Sequence, residues 1–125
     1  MADVITVTGL SLHAHHGVFD HEKRDGQLFI IDLEADVAGR LAATSDDLAD
    51  TVNYSSLIDA VSEVVTGESV DLIETLAHRI ARVVVTQFPV TRVKVTVHKP
   101  HAPVNHSVTD ISFTTELSRE KGSDV

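Results

Sequence analysis

Hydrophobic and polar positions alternate most cleanly where Phe29, Ile31, Leu33, Ala35 and Val37 are separated by Ile30, Asp32, Glu34 and Asp36. A period of two, with one apolar and one largely acidic face, predicts a half-buried strand of an antiparallel sheet. Upstream, Val4 to His15 mixes Val, Ile, Thr and Leu in a partial alternation broken at Gly9, which predicts a strand with a bulge or bend at the glycine. Gly17 then opens a charged stretch holding Asp20, Glu22, Lys23, Arg24, Asp25 and Gly26 that reads as a loop. Two more alternating segments stand near the C-terminus. Val93, Val95 and Val97 are set between Arg92, Lys94 and Thr96, and Ile111, Phe113, Thr115 and Leu117 between Asp110, Ser112, Thr114 and Glu116. The connection between them, beginning Lys99-Pro100-His101-Ala102-Pro103, is too long for a tight hairpin.

Between the two strand pairs the apolar spacing becomes helical. After an acidic connection, Ser45 to Asp50, Ser55 or Ser56 can cap a helix carrying Leu57, Ile58, Val61, Val64 and Val65, ended by Gly67. Ser69 or Asp71 can cap a second, with a stripe of Leu72, Leu76, Ile80, Val83 and Val84 that runs to Phe88 and stops at Pro89. The order β-β-α-α-β-β predicts an α+β domain, a four-stranded antiparallel sheet with both helices on one face. Such a sheet has two exposed edges, which invite strand pairing between subunits, so an oligomer is expected.

Composition narrows the function classes. The chain has 125 residues, 42% hydrophobic and 23% charged, enough for one domain with a real core. Residues 1–118 are expected to form that domain, and the polar residues 119–125, without an apolar anchor, a disordered tail. No apolar run reaches the roughly 18 residues of a spanning helix, and no basic segment precedes an apolar stretch at the start, so a cytoplasmic protein without a membrane span is expected. Absence of Cys removes disulfides, thiolate catalysis and thiolate zinc sites. A formal charge of −9 is the wrong sign for wrapping nucleic acid or an anionic membrane surface, whereas a small neutral substrate needs no basic field.

The candidate chemistry lies at strand and helix ends. His13 and His15 are two residues apart, so on a strand they share a face, as two imidazole ligands of a metal could; with no third ligand fixed by spacing, the plainer reading is a polar strand end. Glu74, in the first turn of the second helix, either complements the helix dipole or receives paired N–H donors of a ligand. Lys99 ends the third strand beside His98 and before Pro100. An exposed strand end is the default there, and acid/base work requires a desolvated amine. Tyr54 is the only tyrosine and reads equally well as packing, while Glu22 reads most simply as a solvated surface acid. No P-loop, Gly-rich dinucleotide turn or G-x-S-x-G motif is present. These residues alone name no reaction.

Read in order, however, several segments resemble the bacterial dihydroneopterin aldolase family of the tunnelling fold. They are His16-Gly17-Val18 followed by Glu22 and Gly26-Gln27, then Ser45 to Asp50 leading to Tyr54. Leu72-Ile73-Glu74 follows with Leu76-Ala77 and Arg79-Ile80-Ala81, and Val95-Thr96-Val97-His98-Lys99-Pro100 closes the series. The match spans residues 4–117. The resemblance implies a homo-oligomer, tetramer or octamer, in which four subunits join their sheets into a barrel and active sites lie between subunits. It implies retro-aldol cleavage of 7,8-dihydroneopterin in folate biosynthesis, possible epimerisation at C2′ included, with neither metal nor other cofactor. The catalytic residues implied are Lys99, Tyr54 and Glu22. Glu74 is implied as the pterin anchor, Ile73 as a backbone contact, Val18 and Glu22 as substrate contacts, and Val52, Asn53 and Tyr54 as the adjacent subunit's share of the site. The rival readings are an epimerase of dihydroneopterin triphosphate, which would need basic residues for three phosphates, a zinc-dependent pterin lyase built on the histidines, and a non-catalytic pterin binder.

Overall fold

The computed structural model describes residues 2–119. Strands β1 (Asp3–Ala14), β2 (Gln27–Val37), β3 (Val90–His98) and β4 (Ser112–Ser118) form one sheet in the order β1-β2-β3-β4, and every neighbouring pair is antiparallel. The short helix α1 (Asp20–Asp25) joins β1 to β2. A helical turn α2 (Ala42–Ser45), a 3₁₀ turn and the two long helices α3 (Tyr54–Thr66) and α4 (Ile73–Gln87) join β2 to β3. The β-β-α-α-β-β order and the α+β class are those expected from the periodicity, and α1 stands where a loop was expected.

The alternation read from β2 is its burial pattern. Phe29, Ile31, Leu33 and Ala35 are buried together with Val93, Val95 and Val97 of β3 against Leu57, Val61 and Val65 of α3 and Leu76, Ile80 and Val84 of α4. The helices cover one face because each carries a single apolar stripe that only the sheet's apolar face can bury. The edge strands are less covered: Ile5, Val7, Leu10 and Leu12 of β1 and Phe113 and Leu117 of β4 are only partly buried. Gly9 explains the broken alternation of β1. The register slips between Val7 and Leu10, so odd-numbered Ile5 and Val7 and even-numbered Leu10 and Leu12 all pack against the core. Gly9 itself sits at φ 76°, where a residue with a Cβ is strained.

Both helix starts differ from the sequence expectation. Asn53, not Ser55 or Ser56, caps α3, its side-chain oxygen accepting from the Ser56 N–H at 3.2 Å. Leu72 precedes α4 without a side-chain cap. The two expected caps are engaged elsewhere, the Ser69 hydroxyl donating to the His15 carbonyl and Asp71 pairing with Lys23 Nζ at 2.6 Å. Arg119, assigned to the tail from the sequence, is fastened: its N–H donates to Thr91 O at 2.8 Å and its guanidinium to Phe88 O at 2.9 Å. Residues 120–125 of that tail lie outside the described residues.

His16 stitches the helices to the end of β1. The buried ring donates from Nε2 to the Val65 carbonyl at 2.6 Å and accepts at Nδ1 from the Val70 N–H at 3.0 Å. A backbone N–H only donates and a carbonyl only accepts, so the ring is the neutral Nε2–H tautomer, and burial holds its pKa below the ordinary 6.5. His16→Ala leaves a buried donor and acceptor unpaired and is expected to destabilise by about 2–4 kcal/mol in urea titration. Because the folded-state pKa is depressed, the His16 contribution is fully present above pH 6.5 and declines as pH falls below it, where the unfolded chain binds the extra proton. The gap between wild type and His16→Ala should therefore narrow on acidification; equal stabilities at pH 7.5 would refute the role.

Candidate functional site

Beyond His16 the chain turns sharply, and Gly17 N–H donates to Val70 O at 3.0 Å. A Cβ at Gly17 would collide with the carboxylate of Glu22, so only glycine lets that side chain fold back beneath the turn. Glu22 is the third residue of α1, placed to receive the N–H of Phe19, the residue before the helix, at 3.2 Å on Oε1. Its Oε2 accepts from Gln27 Nε2 at 2.8 Å and pairs with Lys99 Nζ at 2.7 Å. Lys99 continues the inward phase of Val93, Val95 and Val97, which carries its side chain to the helix-covered side of the sheet. The side chains are 13% exposed for Lys99 and 3% for Glu22. Neither the solvated surface acid nor the exposed strand end suggested by the sequence is found.

Burial alone would raise the Glu22 pKa. The hydrogen bonds from Lys99, Gln27 and Phe19, with the Lys99 charge, outweigh burial and hold it below the ordinary 4.5. The pair is thus a carboxylate and an ammonium in contact, largely out of water. Beside it opens a cavity of about 200 Å³ walled by Glu22, Gln27, His21, Asp25, His101 and Pro103. Gln27, which entered the sequence reading only within the Gly26-Gln27 motif and with no role, joins this polar cluster. Its amide nitrogen faces the carboxylate, and its Oε1 is buried without a hydrogen-bond partner. The signal was available: Gln27 shares the inward phase of Phe29 and Ile31, and a polar residue in that phase is out of place in a core.

The remaining candidates divide between the two ends of the helix pair. Ile73 and Glu74 open α4 near the His16–Val70 junction; Ile73 is half-buried and Glu74 exposed in a first turn that lacks a side-chain cap. Val18 is exposed in the turn before α1. Tyr54, 61% exposed, begins α3, whose far end carries Val65 to His16. Thirteen residues of helix at the standard rise place Tyr54 about 20 Å from that junction. One chain therefore brings Glu22, Gln27 and Lys99 together and leaves Tyr54 a helix length away. Val52 is buried in the core, so its side chain has no access to a ligand, and the Asn53 side chain is occupied as the α3 cap.

The histidine cluster divides. His13 and His15 meet edge to face with ring centroids 5.2 Å apart, His15 Nδ1 donates to Lys23 O at 2.9 Å, and His16 turns into the core. Among the described residues no group of three or more His, Cys, Asp or Glu is placed to hold a metal ion.

Comparison with known proteins matches residues 5–116 to the family profile described as FolB, dihydroneopterin aldolase. The dihydroneopterin aldolase of Streptomyces coelicolor is 44% identical over 117 residues, covering 94% of this chain and 98% of that protein. The dihydroneopterin aldolase of Bacillus subtilis is 38% identical over 120 residues, covering 95% and 98%. The crystal structure of Escherichia coli dihydroneopterin aldolase in complex with neopterin superposes with a TM-score of 0.85 at 28% identity, covering 93% of this chain and 99% of that one.

Proposed function

The chain belongs to the dihydroneopterin aldolase family, carbon–carbon lyases of folate biosynthesis, and from that membership we propose that its Glu22–Lys99 pair carries out retro-aldol cleavage of 7,8-dihydroneopterin. The observation that supports these roles is the buried 2.7 Å contact of Lys99 Nζ with Glu22 at the wall of the cavity. Lys99, an ammonium against Glu22 in the free protein, gives a proton to solvent and then, as the amine, takes the 2′-hydroxyl proton; the C1′–C2′ bond breaks and glycolaldehyde leaves. The electron pair enters the ring's own C6=N5 imine, and the resulting enamine receives the proton back at C1′, giving 6-hydroxymethyl-7,8-dihydropterin. Because the substrate holds its own electron sink, the reaction calls for neither a protein Schiff base nor a metal. Glu22 balances the lysine charge and faces the polyol, with Gln27 fixing its orientation. Recombination of the enamine with the opposite face of the glycolaldehyde carbonyl would give the 2′ epimer as a side product.

Glu74 is the pterin anchor in this reading. Its carboxylate suits the ring N3–H and 2-amino group as a bidentate pair, with the Ile73 main chain and Val18 bordering the ring. The helix-length separation of Tyr54 from the His16–Val70 junction that leads into the Gly17 turn supports a site closed by Tyr54 and the main chain of Val52 and Asn53 from a neighbouring subunit. The partly covered edge strands support assembly through the sheet edges, as a four-subunit barrel that can stack into an octamer. No helix of the described residues is long and apolar enough to cross a membrane.

Mixing Tyr54→Phe with Glu74→Ala subunits, each inactive alone, tests the shared site. Reassembled mixtures should regain activity, since some interfaces then hold both intact residues. A protein that is monomeric in light scattering at micromolar concentration and still turns over dihydroneopterin would exclude it.

A further inference from the structure

His98 precedes Lys99 and faces the opposite side of β3, away from the helices. Its Nε2 lies 2.6 Å from Asp32 Oδ2 on β2, and its Nδ1 lies 2.6 Å from Asp110 Oδ2 in the segment entering β4. A carboxylate oxygen only accepts, so both ring nitrogens carry hydrogen and the ring is an imidazolium. Asp32 is anchored in turn, its Oδ1 receiving the Gly9 N–H of the β1 bulge at 2.8 Å. One ring thus joins β1, through Asp32, to β2, β3 and the approach to β4.

The neighbouring backbone gives this bridge a bearing on the site. Lys99 N–H donates to Ile111 O at 2.7 Å, one residue from Asp110. The His98–Asp110 bond and the Lys99–Ile111 bond therefore close the base of the β3–β4 connection, the segment that carries Lys99 and also the cavity-wall residues His101 and Pro103. We propose that the Asp32–His98–Asp110 bridge is a positioning device for Lys99, holding its amine against Glu22 while His98 is charged and releasing it when His98 is neutral. This rests on the reading of Lys99 as the acid/base residue.

The electrostatic surroundings agree. The sheet rung Ser11–Ile30–His98–Ser112 has no other charge. The adjoining rungs bring Asp32 with Thr96 and Thr114 on one side and His13 with Leu28 on the other, and Glu34 pairs with Lys94 further along. The hydrogen bond to Asp110, against a smaller effect of burial and reinforced by Asp32, raises the His98 pKa above the ordinary 6.5. A neutral imidazole has one N–H, so deprotonation turns a lone pair toward one of the two carboxylates and that side opens. The bridge is therefore intact below pH 6.5 and is lost as pH rises through the raised pKa.

The test follows the histidine ring resonances of the full-length protein by NMR alongside the pH profile of kcat, in wild type and Asp110→Asn. In wild type His98 should keep both ring protons above the pH at which exposed histidines lose one. In Asp110→Asn its titration should move down by roughly 1–2 pH units, the usual effect of losing one neighbouring charge. The alkaline limb of kcat should move by the same interval, with KM for dihydroneopterin within about two-fold. A purely structural bridge would lower Tm and leave that limb in place. The proposal is overturned if His98 titrates with the exposed histidines in wild type, or if its titration moves while the kcat limb does not. Wild-type kcat in Lys99→Ala would instead overturn the Lys99 assignment, a result separable because the His98 titration is read without turnover.

Discussion

Glu74→Ala is expected to abolish useful pterin affinity while the protein still folds and assembles. The residue is exposed at the start of α4 and contributes nothing to the core, so its loss leaves the fold intact apart from a small helix-dipole effect. Its proposed partners, the ring N3–H and 2-amino group, would be left as desolvated donors facing no acceptor. Charge-assisted hydrogen bonds of this kind are worth more than neutral ones, and an unpaired buried donor carries its own penalty, so the loss should be about 3 kcal/mol or more, over a hundredfold in Kd. Calorimetry with 6-hydroxymethyl-7,8-dihydropterin measures it. Glu74→Gln, which keeps one acceptor but no charge, should fall between the two. Near-wild-type binding by Glu74→Ala would show that the anchor lies elsewhere.

Lys99→Ala should slow the chemical step by roughly 10²–10⁴-fold, the usual contribution of a positioned acid/base group. Pterin affinity should change much less, because Glu74 supplies the anchor, so the effect belongs in kcat rather than KM. The substitution also strands a buried carboxylate. Glu22 keeps the donors Gln27 and Phe19 but loses the ammonium 2.7 Å away, and breaking a buried pair from one side commonly destabilises by about 3–5 kcal/mol. Lys99→Met, which retains most of the apolar stem, and the double variant Glu22→Gln/Lys99→Met, which leaves no stranded charge, separate lost chemistry from lost folding. In wild type, the depressed Glu22 pKa means that the pair's stabilisation is present above pH 4.5 and is lost as pH falls through the folded-state value. That acid-side decline should be smaller in Lys99→Met. A wild-type single-turnover rate in both single variants would return Lys99 to a structural role.

The fold was legible in the sequence because its signals are local. The period-two pattern of β2, the glycine break in β1 and the helical stripes of α3 and α4 each depend on residues within one element. The motifs carrying the family resemblance were equally visible. What one residue's neighbours in sequence do not encode was missed. Glu22 looks solvated among Asp20, Lys23, Arg24 and Asp25, and becomes buried only because Gly17 vacates the space its carboxylate fills and Lys99 arrives from the other end of the domain. The caps failed for the same reason: Ser69 and Asp71 have the right side chains, but a carbonyl and a lysine from the β1–α1 region claim them. His98 is likewise defined by Asp32, which lies 66 residues away in sequence. Strand phase was the unused clue, since it separates Lys99 from His98 and places Gln27 inward before any tertiary contact is known.

The most direct measurement is a single turnover of 7,8-dihydroneopterin by the wild-type protein, quenched in borohydride, with products separated by chromatography and the protein weighed by mass spectrometry. The expected result is equimolar 6-hydroxymethyl-7,8-dihydropterin and glycolaldehyde, the latter recovered in reduced form, with the protein mass unchanged, because the imine that accepts the electrons belongs to the substrate. Cleavage accompanied by a reduced adduct on Lys99 would contradict the proton-transfer role assigned to the Glu22–Lys99 pair, and recovery of intact substrate would contradict the aldolase site altogether.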